Sequence, residues 1–154
     1  MKFEGQLLNI HIAEAAGVAM QELLEATLIE GVGIEGDRYA SGRGNYSDRP
    51  DIREVTLIDE ETLIALQRDH GIELLPGEHR RNLTTRNVPL NHLVGRRFKV
   101  GDTLLEGGRL NVPCKYLQTL LNKKVFVPLL NRSGLNCRII KGGKIFAGDL
   151  VTDA

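Results

Sequence analysis

Apolar and polar residues alternate in short runs along most of the chain. Leu8, Ile10 and Ile12 recur at period two between Gly5 and Ile12, which predicts a half-buried strand. Ala26-Thr27-Leu28-Ile29 predicts another, and Glu54-Val55-Thr56-Leu57-Ile58 a third. Asp59 is a good N-cap for a helix that follows, with Glu60 and Glu61 in its first turn and His70-Gly71 at its end. Leu63, Ile64 and Leu66 are its expected anchors on the outside of the sheet. Further strands are expected around Leu104 to Leu110 and Leu135 to Lys141, and short helices at Pro89–Leu93 and near Cys114 to Leu121.

The segments Phe98-Lys99-Val100-Gly101-Asp102 and Ile145-Phe146-Ala147-Gly148-Asp149 echo each other. Gly-Asp after a strand signals a hairpin, so both are expected to turn back within one sheet. Seventeen glycines punctuate these runs. Many short strands carry many edges, and closing them on one another removes the edges. The expected fold is mainly β with α elements, an antiparallel, barrel-like single domain over residues 1–154.

Bulk properties remove several function classes. Twenty basic residues balance twenty acidic ones, so no global field favours nucleic acid. Aromatic residues make up 5% of the chain and tryptophan is absent, which gives little for base stacking. Met1-Lys2-Phe3-Glu4 does not open like a secretory signal, and no apolar run is long enough to cross a membrane. Two cysteines without CxxC spacing read as thiols of a cytoplasmic protein.

Two features could carry chemistry. Cys114 follows Pro113 and precedes Lys115, at the expected start of a short helix. Both the lysine and the helix start favour a thiolate, which is a nucleophile and a ligand for a soft metal. On its residues alone, Cys114 reads equally well as a buried structural thiol. Cys137 lies among Leu135 and Ile139 and reads as core. The second feature is Arg80-Arg81-Asn82-Leu83-Thr84-Thr85-Arg86, whose guanidinium forks, amide and hydroxyls could cradle an anion, or could form a solvated charged face. Gly36-Asp37-Arg38 ends a glycine-rich turn, and a tight turn stapled by an Asp–Arg pair is its better local reading. Arg132 precedes a Ser-Gly turn and could reach an anion. The four histidines show no metal-ligand spacing.

Taken in order, Gly33 to Tyr39, Val55 to Ile58, Arg80 to Arg86, Leu93 to Asp102, Pro113-Cys114, Arg132 to Leu135 and Gly142 to Asp149 resemble the MOSC domain, named for the C-terminal part of the molybdenum-cofactor sulfurases. The resemblance runs from Gly5 to about Val151 and is nearest to the short stand-alone members. It implies a β-barrel that binds the molybdenum cofactor, with Cys114 as metal ligand or sulfur carrier. It implies cofactor contacts at Arg38, Arg81, Asn82 and Arg132. Relatives that hold the cofactor reduce N-hydroxylated compounds, and a separate partner would have to supply electrons, since no flavin or iron–sulfur signature is present. Two alternatives are a cofactor-handling module that carries a Cys114 persulfide, with a sulfur-donor partner, and a cofactor-free anion-binding domain. Many short relatives carry a second cysteine three residues before this one. Asn111 stands there instead, so a vicinal dithiol is not possible.

Overall fold

Strand β1 (Glu4–Ile12) is where the ends of the chain meet. The computed structural model describes residues 1–154. After β1 come β2 (Gln21–Leu23), β3 (Glu25–Ile29), β4 (Gly33–Ile34), β5 (Val55–Asp59), helix α1 (Glu60–His70) and β6 (Leu83–Arg86). A short 3-10 turn over Leu90–His92 leads to β7 (Arg97–Val100) and β8 (Thr103–Leu110). Helix α2 (Lys115–Leu121), β9 (Leu135–Lys141), β10 (Gly143–Phe146) and β11 (Leu150–Asp153) complete the chain.

Hydrogen bonding runs β11-β7-β8-β9-β5-β6-β1, and β1 then pairs with β11, which closes seven strands into a barrel. β2 extends this sheet beside β1, and β10-β3-β4 form a separate small sheet. All of the strand pairs are antiparallel except β5–β6. A parallel pair needs a long crossover, and α1 with the segment after it provides one. The main core is built from Leu7, Ile10, Leu57, Leu83, Phe98 and Leu105 of the barrel strands and Leu28 of the small sheet, all at most 2% exposed, with Cys137 among them. A register shift between Leu7 and Asn9 explains why Leu7 rather than Leu8 joins Ile10 inside: the bulge moves the alternation by one residue.

The cap and stop signals of α1 act as the sequence suggests. The Asp59 carboxylate accepts from the Thr62 amide and hydroxyl, and Gly71 closes the helix in the left-handed region at φ 64°. Its buried face differs from the expected one. Thr62, Ala65 and Leu66 point inward, whereas Ile64 is 55% exposed and Leu63 half-buried. Positions 62, 65 and 66 share one side of a 3.6-residue period, and 64 lies across from them. Leu66 joins Leu117, Val125 and Leu129 in a second, smaller core that attaches α2.

The two Gly-Asp echoes also diverge. Gly101-Asp102 does make the β7–β8 hairpin. Gly148-Asp149 instead passes the chain from β10 in the small sheet to β11 in the barrel. The Asp149 carboxylate accepts from the Phe146 amide at 2.8 Å to hold that turn.

Close backbone contacts fix the barrel where it meets the chemistry. Gly134 has φ 102°, and a Cβ there would overlap the Leu57 carbonyl. Gly134→Ala is therefore expected to cost at least about 2 kcal/mol, read as a fall in the urea midpoint at unchanged slope. Cys137→Ala, which removes only a buried sulfur, is expected to cost on the order of 1 kcal/mol in the same measurement.

Candidate functional site

A cleft of about 430 Å³ opens where the loop before β5, the entry to β6, the end of β8 and the start of α2 converge. Cys114 lines it, together with Arg38, Arg49, Arg53, Arg80, Arg81 and Arg109. Asp51 is the one carboxylate in its wall. A small recess of about 60 Å³ adjoins it and shares Arg38, Arg80, Arg81 and Cys114, with Tyr39 and Tyr46. A larger hollow, about 490 Å³, lies between α1 and the turn at Leu90–His92, but it contains no such cationic array.

Arg81 is the central group. Its side chain is held from four directions: Nε donates to the Ser133 carbonyl at 2.9 Å, Nη1 to the His79 carbonyl at 2.9 Å, and Nη2 to the Ser133 hydroxyl at 2.7 Å and Asn111 Oδ1 at 2.6 Å. The residue is 8% exposed, and no carboxylate pairs with it. Burial pulls its guanidinium down to about 10, with the nearby Cys114 acting in the opposite direction. A buried cation that lacks a counter-charge leaves strong positive potential in the cleft.

Arg38 and Arg80 add to it. Asp37 is fully buried; its carboxylate accepts from the Ala13 amide, the Tyr39 amide and Arg38 Nη1, the last at 3.0 Å. The stapled turn is thus present, and it also aims Arg38 into the cleft, where Nη2 donates to the Arg80 carbonyl at 3.0 Å. Arg80 has φ 65°, in the left-handed region, which costs an arginine about 1 kcal/mol. Its Nη1 is fixed on the Val18 carbonyl. Burial first, and then repulsion from Arg38, draws the Arg80 guanidinium below its usual range.

Cys114 is the N-cap of α2, and its Sγ accepts from the Leu117 amide at 3.4 Å. It is partly exposed to the cleft, unlike Cys137, whose thiol burial pushes upward. Tyr46 lies beside it. The phenol is raised to about 12, first by burial and then by the neighbouring Cys114, so it remains a neutral hydroxyl. The Tyr46 ring meets Tyr116 edge to face, with centroids 6.4 Å apart, and Arg49 and Arg53 stack over it.

Of the residues expected at the site, Cys114, Arg38 and Arg81 share this cleft. Asn82 and Arg132 do not. Asn82 is 1% exposed; its Oδ1 accepts from the Thr56 amide and hydroxyl, and its Nδ2 donates to the His11 carbonyl. It clamps β1 to β5 behind the cleft, buried and outside the cleft wall. The Arg132 side chain is exposed and lines the larger hollow with Asp59 and Glu61. Ser133 is the member of that turn that faces the site, through Arg81. Asn111 was legible only as a missing cysteine; it links Arg81 to Asn136, whose Nδ2 donates to the Ile52 carbonyl at 2.9 Å. Arg53 and Arg109 gave no signal, because each is a single arginine beside ordinary strand residues.

The model of the MOSC domain family matches residues 46–152. The chain belongs to the MOSC domain family. Solved structures share the barrel. The YuaD protein from Bacillus subtilis superposes at TM-score 0.80 with 17% identity, covering 100% of this chain and 98% of that one. YiiM from Geobacillus stearothermophilus gives 0.71 at 14% identity, covering 97% and 75%. YiiM from Escherichia coli gives 0.67 at 19% identity, covering 100% and 70%. Among curated proteins, no sequence relative matches. For this MOSC protein the fold is therefore settled by kinship, and the chemistry has to be read from its own cleft.

His79 supports the site from below and makes its integrity pH-dependent. Its Nδ1 accepts from the Arg81 amide at 2.9 Å, and its Nε2 meets the Thr84 hydroxyl at 3.2 Å. Burial, then Arg81 and His11, holds it down to about 3 from 6.5. As pH falls below 6.5 the unfolded chain takes up this proton before the folded one does, so stability is complete above 6.5 and is lost progressively toward 3. His11, which is buried against His79 with its rings 5.8 Å apart and is likewise lowered by burial, acts in the same direction. The expected outcome is a loss on the order of 1 kcal/mol per pH unit below pH 6.5, followed by chemical denaturation. In His79→Asn, whose amide oxygen can replace Nδ1 as acceptor, the slope becomes shallower.

Proposed function

We propose that the cleft binds the molybdenum cofactor, with Cys114 as the protein ligand of the metal and Arg38, Arg80 and Arg81 receiving the anionic groups of the molybdopterin. The observation that carries this reading is the junction of a half-exposed thiol with a buried, unpaired guanidinium in one cleft. The donor set suits the group. No cluster of three or more His, Cys, Asp or Glu side chains gathers anywhere in the molecule, so a metal held here rests on the one thiolate of Cys114, with its other ligands supplied by the cofactor. An anionic pterin would also provide the counter-charge that Arg81 lacks.

When bound, the cofactor would supply the redox chemistry that turns an N–OH group into N–H with release of water. The protein's own residues do the rest. The arginines bind and orient the ligand. The network of Ser133, Asn111 and His79 keeps Arg81 from moving with it. Tyr46, neutral at physiological pH, places an uncharged hydroxyl in the recess that Cys114 lines. Electrons come from a separate protein partner. No helix is long and apolar enough to cross a membrane, and two free thiols suit a reducing cytoplasmic setting.

The alternative, a sulfur carrier with a Cys114 persulfide, draws on the same thiol. Cys137 is sealed in the barrel core, so no second thiol is placed to release a persulfide as a disulfide. Purification from a host that makes the cofactor separates the readings. Near-stoichiometric molybdenum and pterin are expected in the wild type, and Cys114→Ser should retain the pterin while its metal content falls only in part, because the cofactor's own ligands remain. Protein free of metal and pterin, with a Cys114 mass raised by one sulfur atom, would replace the cofactor reading with the sulfur-carrier one.

A further inference from the structure

The rim of the cleft contains a second cationic pair, separate from the Arg38–Arg80–Arg81 floor. Arg109, on β8, donates through Nε to Asp51 Oδ1 at 2.9 Å and through Nη2 to Oδ2. Arg53 donates through Nη2 to the same Oδ2 at 3.1 Å. The carboxylate thus accepts a two-bond fork from Arg109 and one further charge-assisted bond from Arg53, contacts of the kind that proteins use for phosphate-like oxyanions.

Both arginines are also held by groups other than Asp51. Arg53 Nη1 donates to the Tyr46 and Arg49 carbonyls at 3.0 and 2.9 Å, and its guanidinium stacks near the Tyr39 and Tyr46 rings. Arg109 Nη1 donates to the Leu110 carbonyl at 3.0 Å. Asp51, in contrast, hangs on the loop before β5, and its remaining contact is the adjacent Ile52 amide. If it swung away, the Arg109 fork and one Arg53 donor would remain oriented toward the cleft.

We propose that Arg53 and Arg109 form a second oxyanion subsite, and that Asp51 is an internal stand-in which a phosphate-like group of the ligand displaces. This rests on the reading of the cleft as an anionic-ligand site and deepens it: the ligand carries two separated anionic groups, one for the floor and one for the rim. Asp51 sets a threshold, so that a ligand with a single anionic group reaches only the floor, whereas one with two can open the rim.

The test uses protein made in a host that cannot synthesise molybdopterin, titrated calorimetrically with inorganic pyrophosphate at low salt. Asp51→Asn removes the competitor and should bind about fivefold tighter or more than wild type. Asp48→Asn, which removes a charge from the same loop but outside the cleft wall, should change affinity by less than about twofold. Adding Arg109→Gln to Asp51→Asn should cancel the gain. Unchanged or weaker binding by Asp51→Asn would show that the carboxylate merely pins the loop and would overturn the proposal. So would an equal gain from Asp48→Asn, or a gain that survives Arg109→Gln. Because the probe is a bare anion, this outcome is independent of whether the protein carries molybdenum.

Discussion

The site depends on burying one guanidinium without a carboxylate. Arg81 could have been neutralised by an aspartate at small electrostatic cost, but then the cleft would have lost its field. Instead it is solvated by neutral groups: two carbonyls, a serine hydroxyl and an asparagine amide. Those groups come from the entry to β6, the end of β8 and the turn into β9. Three parts of the barrel must be in register before the cation is satisfied, so forming the fold and charging the cleft are one event. Removing any of the acceptors leaves a buried charge under-solvated, a larger penalty than the loss of an average hydrogen bond.

This arrangement also explains what the sequence could reveal. The strands, their alternation and the caps of α1 are local properties, and they are legible because each depends on a few neighbouring residues. The barrel follows from the number of strand edges. Cys114, Arg38 and Arg81 were nameable from motifs and family likeness. Arg53, Arg109 and Tyr46 were not, because their meaning comes from strands that are distant in sequence. Where the structure departs from the local pattern, the causes are local. A bulge displaced the phase of β1 by one residue. Ile64 has helical spacing to no buried neighbour. The second Gly-Asp turn looks like the first but joins two sheets, and pairing is not written in a turn.

Asn82 and Arg132 show why motif position does not determine role. Both sit in segments that reach the cleft, yet one faces inward and the other outward. Asn82 Oδ1 satisfies the Thr56 amide and hydroxyl together, and its Nδ2 joins the His11 carbonyl, so β1, β5 and the approach to β6 are tied at one amide. That clamp directly follows the floor arginines in sequence, two residues after the left-handed backbone at Arg80. A motif can therefore be indispensable to a site through residues that never touch a ligand.

The position of Asn111 gives the clearest view of how the chain sets its chemistry. A thiol there would sit three residues before Cys114. The amide instead donates to Asn136, accepts from Arg81 and lies next to the Ser133 hydroxyl at 3.5 Å. A sulfur atom would be a weak acceptor for a guanidinium and a weak donor to an amide oxygen, so it could not replace both bonds at comparable strength. With asparagine at this position Arg81 is rigid and Cys114 is solitary. A solitary thiol beside a fixed cation has no partner within the chain with which to close a disulfide. On the reading proposed above that leaves Cys114 free to hold a ligand, and the arginines around it favour one that brings its own negative charge.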